Sequence, residues 1–382
     1  NGFAFKSTLF VNEGLPIVRI KNIKNEKVLL DDVVYFNVED YGKKLDSYQI
    51  KKNDILLAMS GATTGKIGLY DTEEISYLNQ RVGLFRIENS NLRSYLFYFL
   101  STQIEKNLEL SLGAAQPNLS TEQINNIELP LPPLEEQKRI VAKLDILFAK
   151  IDKAIALHQK NIDEANVFMA SVLNDVFVEL DTNETIELKY ITSKIGSGST
   201  PRGGQKAYKT EGITLIRSMN VHDNGFRIKG LAFIDDEQAN KLDNVTIKEN
   251  DILLNITGAS VARCCIVDKN YLPARVNQHV SIIRLDDKFI PNFLHYYLIS
   301  PSVKSDLLFS SSGGATREAI TKSMLEEFKV PKISIITQQK VVSYLNKNKK
   351  KMEKIKQIQK EKMQSLKALK ASILDQAFRG EL

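Results

Sequence analysis

Short apolar segments separated by polar turns make up the first part of the chain. Leu15–Ile20, Asp54–Met59 and Val82–Ile87 are dominated by apolar residues and are separated by turns that contain Gly, Asn and Asp. This pattern is typical of short β-strands joined by tight turns. The stretch Asn91–Leu112 has the character of a helix, as does Pro291–Phe309 later in the chain. The first part of the chain is therefore predicted to be a mixed domain of strands and helix.

A different spacing of apolar residues begins after the proline-rich segment 129–133. Apolar positions there alternate between steps of three and four, which is the 3.5-residue period that two long helices need to pack along each other. Pro133 suits the first helical position, and Glu135 and Glu136 favour the positive end of the helix dipole. A helix from Pro133 to about Phe177 would be on the order of 65–70 Å long, which favours a spacer. Two separate amphipathic helices, each lying on its own domain, are the alternative. The predicted seams are Ile140, Leu144, Leu147, Ile151, Ala154 and His158 in one helix, and Leu345, Met352, Ile355, Leu366, Leu369 and Ile373 in the other.

The chain contains two copies of the same pattern. Asn53–Leu57 returns as Asn250–Leu254, 197 positions later, and Asn79–Val82 returns as Asn277–Val280, 198 positions later. Agreement in both order and spacing indicates an internal repeat of one domain. Further matches are Gly14–Arg19 with Gly212–Arg217, Ser60–Ala62 with Thr257–Ala259, Gly113–Ala115 with Gly313–Ala315, Leu129–Pro130 with Val330–Pro331, and Gln137–Ile140 with Gln338–Val341.

The predicted fold is α+β, with two repeated globular α/β domains separated by two long antiparallel coiled-coil helices in a pseudo-twofold arrangement. The second copy begins with Ile186–Ser197, which has no counterpart before Gly2. We therefore expect the N-terminal strand of the first copy to be missing. The predicted boundaries are 1–132 for the first domain, 133–180 for the first helix, 181–331 for the second domain and 332–382 for the second helix.

Composition excludes several classes of protein. With 43% apolar and 26% charged residues among 382, and no apolar run of about 18, the chain is predicted to be neither disordered nor a membrane protein. No secretory signal opens the sequence, and the adjacent Cys264 and Cys265 suit neither a disulfide framework nor a zinc site. These features indicate a cytoplasmic protein without a metal centre.

The net charge of +6 is unevenly distributed. Eleven lysines against Glu353 and Glu361 give the segment 340–370 a charge of +9, which leaves −3 for the remainder (6 − 9). A lysine-rich helix face can be solvated, dock a protein partner or contact nucleic acid phosphate. The sequence leaves these alternatives open.

The segment Gly61–Lys66, GATTGK, superficially resembles a nucleotide-binding P-loop. It has three rather than four residues between its glycines, and Ile67 stands where the motif needs Ser or Thr. The second copy, Gly258–Arg263, lacks the Gly-Lys pair. ATP binding is therefore rejected, and no methyltransferase or nuclease motif is present elsewhere. Recognition remains, because two domains on a helical spacer suit duplex DNA, whose major-groove faces recur every ~34–36 Å.

Several segments resemble one protein family in the right order along the whole chain. Leu129–Ile140, LPLPPLEEQKRI, and the C-terminal Ala377–Leu382 resemble specificity (S) subunits of type I restriction–modification systems. Gly2–Ser7 and Gly61–Lys66 resemble one common class of their target recognition domains. The segment Pro331–Gln338 departs from the pattern, because it lacks the double proline and the acidic pair.

The resemblance implies a noncatalytic subunit in which each target recognition domain reads one half of a bipartite sequence in double-stranded DNA. The helices would set the gap between the halves and dock two methyltransferase (M) subunits. Restriction/translocase (R) subunits would complete the complex. No cofactor is expected in this chain, whereas S-adenosylmethionine, ATP and Mg are expected in the partner subunits.

The repeat also separates candidate base readers from the frame. Residues shared by both copies, such as Asp54 and Asp251, cannot discriminate two different half-sites and are expected to stabilise turns or contact phosphate. Arg19 and Arg217 are matched in this way, and we assign them to phosphate or to a structural ion pair. Candidate base readers differ between the copies. They are Lys6, Ser7, Lys21, Thr63, Thr64, Lys66 and Arg81 in the first, and Ser199, Thr200, Arg202, His222, Ser260, Arg263, His279 and Arg317 in the second.

Two other functions are compatible with the same plan. The chain could be the recognition subunit of a related methyltransferase–nuclease that cuts outside its site. The second alternative is a protein-interaction scaffold that acts through its coiled coil. Such a scaffold would show no salt-dependent affinity for DNA.

Overall fold

The computed structural model describes residues 1–42, 45–111, 117–180, 184–201, 203–311 and 319–382. The chain forms two compact units, Asn1–His158 with Lys360–Leu382, and Gln159–Gln359. Each unit contains one copy of the repeat and a part of both long helices. None of the helices in the described ranges combines the length and apolar character that a membrane span requires.

Nine short strands and four helices begin within the described part of the first unit. The strands are β1 (Leu15–Val18), β2 (Ile23–Lys24), β3 (Glu26–Val28), β4 (Val34–Phe36), β5 (Gln49–Ile50), β6 (Ile55–Ala58), β7 (Ile67–Leu69), β8 (Ser76–Leu78) and β9 (Val82–Phe85). They form two sheets, with orders β4-β1-β8-β5 and β2-β3-β7-β6-β9. The helices are α1 (Ser90–Thr102), α2 (Ile104–Leu110), α3 (Thr121–Asn125) and the long α4 (Leu134–Glu179).

The second unit repeats this plan. Its strands are β10 (Thr185–Glu187), β11 (Thr192–Ser197), β12 (Ile213–Ile216), β13 (Ala232–Ile234), β14 (Ile252–Asn255), β15 (Cys264–Ile266), β16 (Ala274–Val276), β17 (Val280–Leu285) and β18 (Lys329–Pro331). They form sheets with orders β13-β12-β16, β11-β17-β14-β15 and β10-β18. The helices are α5 (Asp236–Lys241), α6 (Pro291–Ile299), α7 (Pro301–Ser311), α8 (Lys322–Glu326) and the long α9 (Ile335–Arg379).

Strand pairing confirms the internal repeat. The β1 strand pairs antiparallel with β4 and parallel with β8, and β12 pairs in the same two ways with β13 and β16. Similarly, β6 lies antiparallel between β7 and β9, as β14 does between β15 and β17. Because these pairings join residues far apart in sequence, the two copies share a tertiary fold and not only a local pattern.

The central strand β6 is buried on both faces. Leu56 packs in a cluster with Val18, whereas its neighbours Ile55 and Leu57 pack with Phe99 of α1. Successive residues of a strand point to opposite faces, so a strand between two apolar layers needs an unbroken apolar run. The repeated Asn-Asp-Ile-Leu-Leu motif therefore marks the centre of each domain.

The predicted pairing of two long antiparallel helices is confirmed within each unit. In the first unit, Leu144 and Ile151 near the start of α4 pack with Leu374 near the end of α9. In the second unit, Phe177 near the end of α4 shares a core with Leu345 near the start of α9. Early residues of one helix thus meet late residues of the other.

The seam predicted for the second long helix is wrong at two positions. Ile355 and Leu369 are 37% and 48% exposed. The half-buried face instead continues from Met352 to Lys356, four residues on. A lysine can bury its methylene groups and keep its ammonium group in water, so this polar position was not recognised as part of the seam.

The bounds of three predicted helices also differ from the sequence expectation. The α4 helix begins at Leu134, so Pro133 lies immediately before it. The stretch Asn91–Leu112 forms two helices in its described part, and Pro291–Phe309 is interrupted at Ser300. Ser300 is extended, with ψ 143°, because a residue before proline is disfavoured in the helical region.

Candidate nucleic-acid interface

Three connecting segments meet at one edge of the first unit. The N–H groups of residues 58 and 59, at the end of β6, donate to the carbonyls of Lys66 (2.8 Å) and Arg81 (2.9 Å). Ile20, after β1, lies 3.6 Å from the position that a Cβ on Gly61 would take. The segments that carry Arg19, Lys66 and Arg81 are therefore neighbours, although they are distant in sequence.

The second unit has the same backbone arrangement. The N–H of Asn255 donates to the carbonyl of Arg263 (2.8 Å), and the N–H of Ile256 donates to that of His279 (3.0 Å). Lys66 and Arg263 therefore occupy one matched backbone position, and Arg81 and His279 occupy another. The common frame presents different side chains in the two copies.

The turn after β6 has a fixed conformation. Gly61 and Gly258 both have φ +75°, a left-handed conformation that glycine adopts without steric cost. The Thr64 hydroxyl donates to the Gly61 carbonyl at 2.7 Å, and Thr64 is buried. The expectation that Thr64 is presented to DNA is therefore wrong, since its hydroxyl closes the turn. Thr63 is half-buried, whereas Lys66 is exposed.

An ion pair at the other end of β6 holds the frame, and the sequence analysis missed its cationic partner. Asp54 accepts a hydrogen bond from the Lys51 N–H (2.7 Å) and a two-point contact from Arg86 (2.9 and 2.6 Å). This confirms the interpretation of Asp54 as a turn-stabilising carboxylate. The signal for Arg86 was available, because Arg284 stands 198 positions later, at the repeat offset, near the end of the matched strand β17.

Asp251 and Arg284 form the equivalent pair in the second unit. Arg284 contacts both carboxylate oxygens of Asp251 at 2.7 Å, and the Lys248 N–H donates to Asp251 at 2.7 Å. The carboxylate is fully buried, and the arginine side chain is 21% exposed. Two-point contacts of this kind fix geometry as well as charge.

The matched arginines Arg19 and Arg217 lie at the same edge as the turns. Among the described residues neither forms an ion pair, so this part of the expectation is not met. The Arg19 guanidinium lies 6.0 Å from the centre of the Phe10 ring, and that of Arg217 lies 5.1 Å from the centre of the Tyr208 ring. In both arginines the Nε atom is buried without a hydrogen-bond partner within the described ranges.

The other candidates of the first unit have different surroundings. Lys21 forms an exposed ion pair with Asp32 at 2.6 Å, and this hydrogen bond lowers the pKa of the Asp32 carboxyl below its ordinary value. Lys6 and Ser7 are exposed, and the Lys6 N–H donates to the Tyr41 hydroxyl at 3.0 Å. Within the described residues, no hydrogen bond or ion pair joins Lys6 or Ser7 to the edge that carries Lys66 and Arg81.

Four of the six candidate base readers that the structure describes in the second unit are already hydrogen-bonded. Ser199 is exposed, and the Thr200 hydroxyl contacts the Gln278 side-chain amide oxygen. The remaining contacts join Ser260 Oγ to the Asn255 side-chain amide (3.1 Å), His279 Nδ1 to the Thr257 hydroxyl (2.6 Å), and His222 Nε2 to the Met219 carbonyl (3.1 Å). Arg202, Arg317 and the two Gly-Ala loops, 113–115 and 313–315, lie outside the described residues.

The buried polar groups of the second unit are structural. Burial raises the pKa of the Cys265 thiol to about 12, and Cys264 is buried beside it. His295 is also buried, with its Nε2 atom 3.2 Å from the Cys264 carbonyl oxygen. In the part of the chain that the structure describes, no group of three or more His, Cys, Asp or Glu side chains is arranged to hold a metal.

Comparisons with known proteins give a consistent result. A family model described as the type I restriction modification DNA specificity domain matches residues 1–166 and 180–362. The chain is 28% identical to the type I restriction enzyme EcoBI specificity subunit of Escherichia coli, over 100% of this chain and 83% of that protein. It is 24% identical to the putative MjaX specificity subunit of Methanocaldococcus jannaschii, over 97% of this chain and 87% of that protein.

A solved structure has the same fold. It comes from work on complex assembly and conformational transition of the type I R-M system, and it matches with a TM-score of 0.69. The match covers 96% of this chain and 92% of that chain at 21% identity. The repeated domains with long helices are therefore a fold that has been observed experimentally.

Proposed function

The chain belongs to the type I restriction–modification specificity family, and from this membership we propose that each of its two repeat domains reads one half of a bipartite DNA sequence. The observation that carries the proposal is the matched edge of the two units. One backbone frame presents Lys66 and Arg81 in the first unit and Arg263 and His279 in the second. Two equivalent surfaces with different side chains suit two different half-sites.

The chemistry of these side chains fits base edges in the major groove. Arginine and lysine bind the O6 and N7 acceptors of guanine, and a well-formed two-point contact contributes about 1–3 kcal/mol of discrimination. Lys66 and Arg81 are exposed and form no ion pair among the described residues. Their charges are therefore available to a ligand without the loss of an internal contact.

The paired helices have a separate role in the proposal. They set the unread gap between the half-sites and dock two methyltransferase subunits, with restriction/translocase subunits completing the complex. The chain itself is noncatalytic and acts in the cytoplasm. S-adenosylmethionine, ATP and Mg serve the partner subunits, and this chain supplies only sequence recognition.

The test is to map methylated adenines in DNA from cells that express this chain with its methyltransferase partner. We expect methylation in a sequence with two defined halves and an undefined gap. The paired substitutions Lys66→Arg and Arg81→His place the side chains of the second copy in the first, and should change one half only. A single uninterrupted target, or the same target for the wild type and this variant, would contradict the proposal.

A matched control exists for these substitutions. Lys51→Gln removes a charge from the first unit at the opposite end of β6, where the Lys51 backbone N–H, and not its side chain, contacts Asp54. This variant should methylate the wild-type target. Changes in expression or in assembly with the partner are thereby separated from changes in recognition.

A further inference from the structure

We propose that Arg19 and Arg217 are a matched pair of phosphate contacts, one in each recognition domain, which anchor the DNA backbone without reading sequence. The inference rests on the proposed function and assigns a distinct task to two residues of the same interface. It follows from four properties of these arginines, which concern their backbone, their aromatic neighbours, their charge and their place in the repeat.

The backbone of each arginine is held in place by a buried asparagine. The Arg19 N–H donates to the side-chain oxygen of Asn22 at 2.9 Å, and the Arg217 N–H donates to that of Asn220 at 3.1 Å. Asn22 donates in turn to the Leu29 carbonyl at 3.2 Å. Asn220 makes the same kind of bond, to the Arg227 carbonyl at 2.9 Å. Both arginines therefore leave their strands in a defined direction.

The side chains are oriented by aromatic rings. The guanidinium groups of Arg19 and Arg217 lie over the rings of Phe10 and Tyr208, and a ring face within about 6 Å stabilises the cation. Arg217 also donates to the Gly230 carbonyl. A planar guanidinium held in one orientation suits the oxygens of a phosphate better than a mobile lysine does.

Neither guanidinium forms an ion pair within the described residues. Both side chains are half-buried, and in both the buried Nε has no hydrogen-bond partner. Asp32 is a neighbouring carboxylate of Arg19, but its short contact is with Lys21. By contrast, Arg86 is fully paired with Asp54. Because a partly desolvated and unpaired cation is costly, its presence in both copies favours an anionic ligand.

The position of the two arginines in the domains indicates that the anion is a DNA phosphate. The N–H groups of Asn79 and Asn277 donate to the carbonyls of Val18 and Ile216, so the two arginines lie where β1 and β12 reach the edge that carries the variable side chains. A residue shared by two domains that read different bases carries no sequence information. Contacts to phosphate have this property, whereas contacts to bases do not.

The experiment measures DNA affinity of the complex with the methyltransferase partner, at ionic strengths from ~50 to ~200 mM, the range over which phosphate contacts dominate the salt dependence. Arg19→Gln and Arg217→Gln should each weaken binding about tenfold, as expected for a lost charged hydrogen bond. The loss should be equal on target and unrelated duplexes. Each variant should also lower the salt slope by about one, and the double variant by about two. The methylated sequence should not change.

Lys51→Gln and Lys248→Gln are the matched controls. Both lysines are exposed, lie 197 positions apart and precede β6 and β14 at the opposite end from the arginines. They remove the same charge and should leave the salt slope unaltered. Arg19→Lys and Arg217→Lys keep the charge but lack the planar group. If a glutamine variant folds poorly, the affinity for DNA is measured with the lysine variant instead.

The outcomes separate this inference from the proposed function. If the wild-type complex showed no salt-dependent binding to DNA, the proposed function itself would fail. If the wild type bound and the glutamine variants kept its affinity and slope, Arg19 and Arg217 would be structural. A changed base in one half-site would make the arginine concerned a base reader. Either of the last two results would overturn the inference.

Discussion

Arg86 forms two hydrogen bonds with the Asp54 carboxylate. Its Nε lies 2.9 Å from one oxygen, and its terminal nitrogen lies 2.6 Å from the other. Arg284 makes the same contact with Asp251 in the second unit. Both carboxylates are buried, but Arg86 is 40% exposed and Arg284 only 21%. The same interaction is therefore screened differently by water in the two copies.

This difference predicts unequal effects of the same substitution. Arg86→Met should destabilise the first unit by about 2 kcal/mol and Arg284→Met the second by about 3 kcal/mol, since each leaves a buried carboxylate without its cation. Hydrogen exchange of the β6 and β14 amides measures each unit separately. Adding Asp54→Asn to Arg86→Met should recover part of the loss, because the unpaired charge is then absent. Equal losses in the two units would contradict the role of exposure.

Arg263→Ala should relax the preference at one base of one half-site. The side chain is presented by a backbone hydrogen bond from Asn255, so its removal should leave the fold and the assembly with methyltransferase intact. We expect discrimination at that base to fall about tenfold to a hundredfold, as for one lost two-point contact. Binding to a panel of single-base variants measures this. A uniform loss over all sequences would instead mark Arg263 as a phosphate contact.

Shortening both long helices by seven residues should narrow the gap between the half-sites. Removal of Gln159–Ala165 from α4 and Met352–Ile358 from α9 keeps the 3.5-residue seam in phase. The two helices lie side by side here in the second unit, where Asn161 contacts Gln359 at 3.4 Å and Lys356 contacts Asn166 at 3.0 Å. The loss of about 10 Å of helix corresponds to about three base pairs. Methylation mapping should show both halves unchanged and closer together, and an unchanged gap would refute the spacer role.

His295 predicts an acid-sensitive second unit. Burial lowers its pKa to about 4, so the folded state holds the neutral imidazole whereas the unfolded chain binds a proton below about pH 6.5. Stability is therefore full above pH 6.5 and falls as the pH approaches 4, by about 3 kcal/mol in total. His295→Gln should flatten this dependence in acid titrations followed by hydrogen exchange. His222→Gln removes a half-buried histidine from the same unit and should leave the dependence in place.

The sequence predicted the parts of the fold that depend on local pattern. The apolar run of β6 and the 3.5-residue spacing of α4 are local signals. Each occurs a second time in the repeat, which supports the prediction. The Asp54–Arg86 contact joins residues 32 positions apart, and nothing local to either residue indicates its partner. Only the comparison of the two copies could have revealed it.

The errors have a similar origin. Thr64 was counted among the base readers because it is polar and differs between the copies, but it is buried and its hydroxyl donates to the Gly61 carbonyl. Ile355 was placed in the helix seam because it is apolar and three residues after Met352, but the structure half-buries Lys356, four residues after Met352. In both cases residue type was given more weight than geometry.

The four residues of β6 separate a structural end of the domain from an end that carries the variable side chains. Asp54, before the strand, and Arg86, after its neighbour β9, form an ion pair whose carboxylate is buried. Lys66 and Arg81 lie at the opposite ends of the same two strands, and both side chains are exposed, so their substitution leaves the Asp54–Arg86 contact in place. On the proposed function, a domain can therefore change the bases that it reads at one end of β6 and keep the ion pair that stabilises it at the other end.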